Sequence, residues 1–293
     1  MPGTLYLVAT PIGNLEDITL RALRILGEVD LIACEDTRHT RKLLSHYKIS
    51  KPLVSYHEHN ERERAGQLIE RLLAGMNVAL VSDAGMPLIS DPGYSIVGEA
   101  AGAGVPVIPI PGPSAGIAAL AASGLATSEF VFAGFLPPRS ARRKQRLKDF
   151  ASTAGTLVLY EAPHRIKECI DDAREILGDR PSALARELTK IHEEIIRGRL
   201  SEIGALMKER EPRGEYVLLI GARPLSEPAE ETTETGSRTI TEQVRAVMDA
   251  QGIDQKAALK QVAKQRGITR REAYRQLVEQ THRETGDEKE PTT

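Results

Sequence analysis

The sequence predicts an α/β protein built from two sheets, an N-terminal one that is mostly parallel and a C-terminal one that is mixed. Three observations carry this. Short apolar runs alternate with amphipathic segments through residue 222. Most runs are bounded by Gly, Pro or Asp. The runs at Glu194–Arg197 and Val217–Ile220 follow short connections, so the second sheet is expected to be mixed rather than purely parallel.

In order, Leu5–Ala9, Leu31–Cys34, Val78–Val81 and Val105–Ile110 read as buried strands of the first sheet. Leu15–Leu26, Thr37–Tyr47, Glu61–Leu73 and Tyr94–Ala103 space their apolar residues as one face of a helix. This βαβα rhythm requires helices on both faces of a parallel sheet. A second series places strands near Phe130–Ala133, Thr156–Tyr160, Ala183–Arg186, Glu194–Arg197 and Val217–Ile220. Helices near Ala141–Ser152, Arg165–Leu177 and Leu200–Glu209 separate some of them.

The boundary falls near Pro111–Ser114 or in the helix after it, giving α/β domains over 1–115 and 116–223. Residues 224–237 contain Glu227, Glu230, Glu231 and Glu234 and no basic residue, the composition of an acidic linker. Beyond it, Thr239–Met248, Lys256–Gln265 and Arg270–Glu279 predict a small helical extension over 238–285, with breaks at Gly252 and Gly267. A polar, disordered tail is expected over 286–293.

Aromatic residues make up 4 % of the 293 and Trp is absent, so the cores must be aliphatic. The two cysteines, Cys34 and Cys169, form no CxxC or Cys/His cluster, which fits a reducing compartment without disulfides or structural zinc. The N-terminus lacks a basic region, and the longest small-apolar stretch, Ala115–Ala126, is too short to span a bilayer. A cytosolic protein with no membrane partner is expected. Net charge is −2, so a nucleic-acid partner would have to meet a local basic patch. Arg139, Arg142, Arg143, Lys144, Arg146 and Lys148 form such a patch, with no acid before Asp149. The extension, over 238–284, adds ten Lys/Arg against six Asp/Glu.

In an open α/β sheet ligands bind outside the carboxyl ends of the strands. Three loops there are rich in Gly and Pro: Thr10–Leu15, Ser82–Gly93 and Pro111–Ala115. Such loops bring backbone close to a ligand in a fixed shape. Each also has an ordinary turn reading: Asp91-Pro92 and Ser114 are good helix starts. No G-x-G-x-x-G follows the first strand and no Gly-Lys pair occurs, which excludes the ordinary dinucleotide and Walker A loops.

The segments TPIGNLEDIT (10–19), CEDTRHTRKLL (34–44), SDAGMPLISDPG (82–93), PIPGPSA (109–115), FAGFLP (132–137), YEAPHRI (160–166) and ARELTKIHEE (185–194) resemble the tetrapyrrole methylase superfamily, the class III methyltransferases. They are most similar to its branch that methylates ribose 2′-hydroxyls of 16S rRNA. The likeness covers residues 4 to about 222. It implies two α/β domains that clamp S-adenosyl-L-methionine between them, and a homodimer. By the same likeness, Pro11, Asp83, Ala84, Gly85, Met86, Pro87, Ile89 and Ser114 should contact the cofactor from the first domain. Phe135, Leu136, Pro163, Leu188, Gly214 and Glu215 should do so from the second. Where many superfamily members read Gly-Asp-Pro, this chain reads Asp83–Pro87, and Met86 stands where relatives carry Thr.

Methyl transfer to a ribose 2′-hydroxyl needs positioning, together with removal of a proton or stabilisation of the oxyanion. Charged residues at strand ends supply candidates. Lys190 or Arg165 could stabilise an alkoxide or hold the adjacent phosphate, and Glu187 or Glu161 could accept the proton. Each could equally be a salt-bridge partner. His57 and His59 lack a third ligand, and the chemistry needs no metal.

The reading is therefore an S-adenosylmethionine-dependent methyltransferase acting on a cytidine ribose in the decoding region of 16S rRNA, on the assembled small subunit. A small-molecule methylase of the tetrapyrrole type and a non-catalytic, cofactor-sensing ribosome-assembly factor are the alternatives.

Overall fold

The computed structural model describes residues 1–57, 60–90, 94–222, 240–265, 269 and 271–277. The chain divides into two compact units, Met1–Pro224 and Leu225–Thr293. Both sheets lie in the first.

The first sheet contains β1 (Leu5–Val8), β2 (Leu31–Cys34), β3 (Leu53–Ser55), β4 (Val78–Val81) and β5 (Val107–Ile110) in the order β3-β2-β4-β1-β5. Every pair is parallel. Helices α1 (Leu20–Glu28), α2 (Thr37–His46), α3 (Glu61–Leu73) and α4 (Tyr94–Gly102) make the connections. All residues of β2 and β4 are buried, because helices cover both faces. One aliphatic core gathers Leu7, Leu68, Leu80 and Ile96; the other gathers Val8, Ile25, Ile32 and Val81.

The larger departures from the sequence-based expectation in this sheet are a split helix, an added strand and a later start to β5, beside shifts of one or two residues at the ends of β1, α1, α2 and α4. The helix expected over Leu15–Leu26 splits into a 3-10 turn at Leu15–Asp17 and α1 from Leu20. Thr19 causes the break: its backbone is extended and its hydroxyl accepts from the Ala22 amide, capping α1. β3 is an unexpected strand, three half-buried residues at the sheet edge. β5 starts at Val107 rather than Val105, and it tolerates Pro109 because it forms the opposite edge.

Helix α5 (Ala115–Ser123) leads to the second sheet. Its strands are β6 (Phe130–Phe135), β7 (Thr156–Glu161), β8 (Pro181–Arg186), β9 (Glu194–Arg199) and β10 (Tyr216–Ile220), in the order β6-β7-β10-β8-β9. Only β6 and β7 are parallel, so the sheet is mixed as expected. Helices α6 (Ser140–Asp149), α7 (Ile166–Leu177) and α8 (Leu200–Lys208) share one core with this sheet through Leu147, Ile170 and Ile203. Ala119 and Leu120 of α5 pack in a separate core with Val158 and Leu219. Because β10 runs against β7 and β8, its first residue lies beside their last ones: Tyr216 pairs with Glu161 and with Arg186.

In the second unit, α9 (Ile240–Gln251), α10 (Gln255–Gln265) and a helix over 271–277 share a core of Val244, Leu259, Val262, Ala273 and Leu277. The expected linker 224–237 and tail 286–293 lie outside the described residues. Among the described residues no helix is long and apolar enough to cross a membrane.

Candidate active site

The three Gly/Pro loops follow three neighbouring strands, β4, β1 and β5. Thr10 and Gly85 exchange backbone hydrogen bonds of 2.9 and 3.0 Å, which ties the first two loops together. The Thr10 hydroxyl donates to the Ser82 carbonyl at 3.0 Å, and the Ser82 hydroxyl donates to the Gly85 carbonyl at 3.1 Å. Gly85 has φ +85°, and a Cβ there would stand 3.5 Å from Ile12 and 3.6 Å from the Pro113 carbonyl oxygen. All three loops thus converge on a residue whose conformation favours glycine.

Further along the loop after β4, Leu88 (φ 75°) and Ser90 (φ 68°) are left-handed despite carrying side chains. Such conformations cost about 1–3 kcal/mol each and concentrate where a binding wall must be held in one shape. The second sheet meets this loop through a bulge in β6 between Phe132 and Gly134. Gly134 (φ 60°) lets the backbone come close, since a Cβ there would lie 2.9 Å from Ser90 Oγ. Tyr160 braces the junction: its hydroxyl accepts from the Gly116 amide at 3.0 Å, and the Phe132 and Phe135 rings meet it edge-on at 5.0 and 5.7 Å.

Between the two sheet edges lies a cavity of ≈ 420 Å³. Of the expected cofactor residues, Asp83, Ala84, Gly85, Met86, Ile89 and Ser114 line it from one side, and Phe135, Pro163, Leu188 and Glu215 from the other. Pro11 and Pro87 are buried and lie outside this lining. Leu136 turns into the core, and Gly214 sits behind the wall against Glu187. The likeness left out Ile12, Ser90, Ala115, Ala162 and Ala185, which also line the cavity, and Tyr160, Tyr216 and Val217. The last two reach it because β10 starts at this edge.

The candidate catalytic residues are distributed differently from one another. Glu161 lines the cavity, but its buried carboxylate already accepts from the Ala162 amide at 2.9 Å and from Arg165 at 3.1 Å. Arg165 also donates to the Leu136 carbonyl at 2.6 Å, while its buried Nε has no hydrogen-bond partner among the described residues. Glu187 and Lys190 stand outside the lining, in the loop after β8. The Glu187 carboxylate accepts from the Glu215 amide at 3.0 Å and from Lys190 Nζ at 2.9 Å. Lys190 Nζ reaches Glu215 as well, at 2.9 Å.

Burial pushes the Glu187 carboxyl up, but hydrogen bonds from Lys190 and the Glu215 amide outweigh it and hold Glu187 below the usual carboxylate range. For Lys190, burial pulls down while the bonds to Glu215 and Glu187 hold the ammonium above its ordinary value. Glu187 is thus a poor proton acceptor, and Lys190 a secure cation. On the first sheet's side, burial and the nearby Asp83 carboxylate raise Glu35, the residue after β2.

Half of the basic patch on and just before α6 is engaged. Arg143 is completely buried, with its guanidinium 2.6 Å from Asp172 and 3.2 Å from Glu168. This corrects its expected place on an RNA surface. An i,i+4 relation to Leu147 puts both on the helix's inner face. Lys144 pairs with Glu175 and Asp172, and Arg146 pairs with Asp149 and lies over the Phe150 ring. Arg139, Arg142 and Lys148 are exposed and carry no ion pair among the described residues.

Gly112–Gly116 also spells the Gly-x-Ser-x-Gly spacing of a nucleophile elbow. Ser114, however, makes no hydrogen bond to a histidine among the described residues; it stands at the N-cap of α5 without capping it through its side chain. His57 shares hydrogen bonds with Asn60, and His59 lies outside the described residues. No group of three His, Cys, Asp or Glu among the described residues could hold a metal ion.

A family model described as Tetrapyrrole (Corrin/Porphyrin) Methylases matches residues 4–204. Ribosomal RNA small subunit methyltransferase I of Halalkalibacterium halodurans is 50 % identical over 273 residues, 93 % of each chain. Its namesake from Synechocystis sp. is 47 % identical over 279 residues, 94 % of this chain and 98 % of the relative. Uroporphyrin-III C-methyltransferase from Thermus thermophilus, solved in complex with S-adenyl homocysteine, shares the fold at TM-score 0.53 and 22 % identity, over 75 % of this chain and 97 % of that one. By family match and by these relatives, the chain belongs to the tetrapyrrole (corrin/porphyrin) methylase family, in the group of ribosomal RNA small subunit methyltransferase I.

Proposed function

We propose that this protein transfers the methyl group of S-adenosylmethionine to the 2′-hydroxyl of a cytidine ribose in the decoding region of 16S rRNA, on the assembled small subunit. The observation that carries the reading is the cavity between the sheets, in a chain about half identical to ribosomal RNA small subunit methyltransferase I across nearly its whole length.

The residues present suit the cofactor. A cavity of ≈ 420 Å³ falls in the range of small-molecule sites. Met86, Ile89, Phe135, Pro163 and Leu188 offer apolar walls for a base and an aliphatic chain. The carboxylates of Asp83 and Glu215 offer negative potential to a sulfonium. The start of α5, with Ser114 and Ala115 at the wall, offers a helix N-terminus to a carboxylate.

When bound, S-adenosylmethionine supplies an activated methyl carbon for in-line displacement. The protein positions the ribose against it and excludes water, which contributes several kcal/mol. The bound cofactor would supply its methyl carbon to the ribose 2′-oxygen and keep the sulfur's electron pair, and the hydroxyl proton would pass to water at the cavity mouth. Lys190, held charged beside Glu215 at the rim, favours the forming oxyanion or the neighbouring phosphate. Glu187 orients Lys190 rather than taking the proton.

The protein acts in the cytoplasm, where buried, free Cys34 and Cys169 stay reduced. It works as a homodimer, and exposed Leu20, Ile117 and Ile191 supply apolar surface of the kind an interface covers.

Methyl transfer from labelled S-adenosylmethionine to small subunits from cells lacking this protein tests the reading, with nucleoside mass spectrometry after digestion. Label in 2′-O-methylcytidine is expected. Label in a tetrapyrrole but not in RNA would move the assignment to the small-molecule methylase, and cofactor binding without any transfer would favour the sensor.

A further inference from the structure

We propose that the outer face of α2 is a phosphate-binding surface that seats the RNA backbone next to the cavity; this rests on the RNA reading above. Arg38, Arg41, Lys42 and Ser45 line a shallow depression on this helix. Their spacing of three, four and seven residues places them on one face. Thr40, Leu43 and Leu44 are buried on the other.

Cations three and four residues apart on a helix repel one another, so such a face needs compensation. The chain supplies one carboxylate, Asp36, and Arg38 takes it with both arms of its guanidinium at 2.9 and 3.2 Å. Arg41 and Lys42 remain exposed and carry no ion pair among the described residues. On and before α6, Arg143, Lys144 and Arg146 are each matched by a carboxylate, while Arg139, Arg142 and Lys148 are exposed without an ion pair among the described residues. None of these six is tied to the cavity wall as α2 is through Asp36 and Asp83. In a chain of net charge −2, α2 is therefore a local and uncompensated positive surface.

Its position gives the surface a use. α2 begins three residues after the end of β2, and the Asp36 amide donates to the Asp83 carboxylate at 3.2 Å. Asp83 lines the cavity. Arg41 and Lys42 follow Asp36 by five and six residues, roughly 8–9 Å along the helix. A polynucleotide with one ribose in the cavity mouth would carry its neighbouring phosphates across this face. Phosphate contacts of this kind fix register without reading sequence.

The test uses the full chain and small subunits from cells lacking it. Binding and methyl transfer are measured across a salt series for the wild type, the R41A/K42A variant and the charge-keeping R41K/K42R variant. R41A/K42A should bind subunits at least tenfold more weakly at moderate salt. The slope of log affinity against log salt should become shallower by about 1–2, at roughly 0.7–0.9 per lost phosphate contact. Affinity for S-adenosylmethionine should stay the same, and R41K/K42R should restore most of the subunit binding. If R41A/K42A keeps wild-type affinity and slope while the wild type methylates RNA, the surface is wrong and the RNA reading stands. If the wild type neither binds nor methylates subunits, the RNA reading fails and the surface falls with it.

Discussion

The backbone amide of Asn14 donates to the hydroxyl of Thr189 at 3.0 Å, joining the loop after β1 to the loop after β8. The Lys190 stem lies over Gly13 beside this bond: a Cβ at Gly13 would come 2.6 Å from Lys190 Cγ. The cavity rim is thus closed by contacts between residues about 175 positions apart, from opposite halves of the first unit. Thr189 holds this position at φ 66°, a costly conformation for a β-branched residue.

Thr189→Ala should weaken S-adenosylmethionine binding about fivefold, the effect of losing one hydrogen bond of about 1 kcal/mol. Thr189→Gly relieves the backbone but loses the same acceptor, so its affinity should fall similarly while its Tm holds or rises. Isothermal titration and thermal melting of both variants check this. Unchanged affinity in both would show that the tie plays no part in binding.

Gly214 has φ +83°, and a Cβ there would collide with the Glu187 carboxyl. Gly214→Ala should cost about 1–2 kcal/mol from the left-handed backbone alone. Displacing Glu187 also frees Lys190 and shifts Glu215, so Tm should drop by about 4–8 °C and cofactor affinity should fall as well. A variant with wild-type melting and binding would contradict the packing described for the rim.

Arg143 is a structural residue, and its substitution should show it. Arg143→Ala takes the guanidinium from buried Asp172, which keeps only Lys144 at 3.5 Å and the Ser140 hydroxyl at 3.0 Å among the described residues. The loss costs about 3 kcal/mol, which lowers Tm by on the order of 10 °C. Replacing exposed Arg139, Arg142 and Lys148 together with Ala should move Tm by no more than about 1–2 °C. Thermal melts separate the two outcomes, and activity losses in Arg143 variants should be read only after that comparison.

Glu35 gives a pH dependence with a definite sign. Its folded pKa lies above the ordinary 4.5, because of burial and the Asp83 carboxylate. The ionised side chain therefore disfavours the fold at neutral pH, and the penalty is absent once the pH drops below the unfolded pKa. Glu35→Gln should raise Tm at pH 7, with the gain disappearing near pH 4. A gain independent of pH, or a loss at pH 7, would contradict the assigned environment.

Sequence patterns reveal what burial dictates locally. β2, β4 and α3 begin and end at the residues expected, because strands covered on both faces are uninterrupted apolar runs and the helix keeps its period throughout. β3 leaves no such trace, with three residues at an edge. The loops after β1, β4 and β5 can be found from their Gly and Pro content, and they do meet at one cavity. Tyr216 and Val217 cannot be found this way, since they reach the cavity only because β10 reverses direction between β7 and β8. Arg143 looks like its charged neighbours until the acid facing it, 29 residues later in the chain, is known.

The most direct test of the central claim, that the cavity between the sheets holds the cofactor, is a calorimetric titration of S-adenosylmethionine into the wild type and into Ala84→Trp. Ala84 is exposed at the cavity wall, so the larger side chain can fill the space without entering the core. The account predicts stoichiometric binding to the wild type and loss of at least tenfold in affinity in the variant, with Tm unchanged in the absence of cofactor. Wild-type affinity in a folded Ala84→Trp protein would place the cofactor elsewhere and contradict the account.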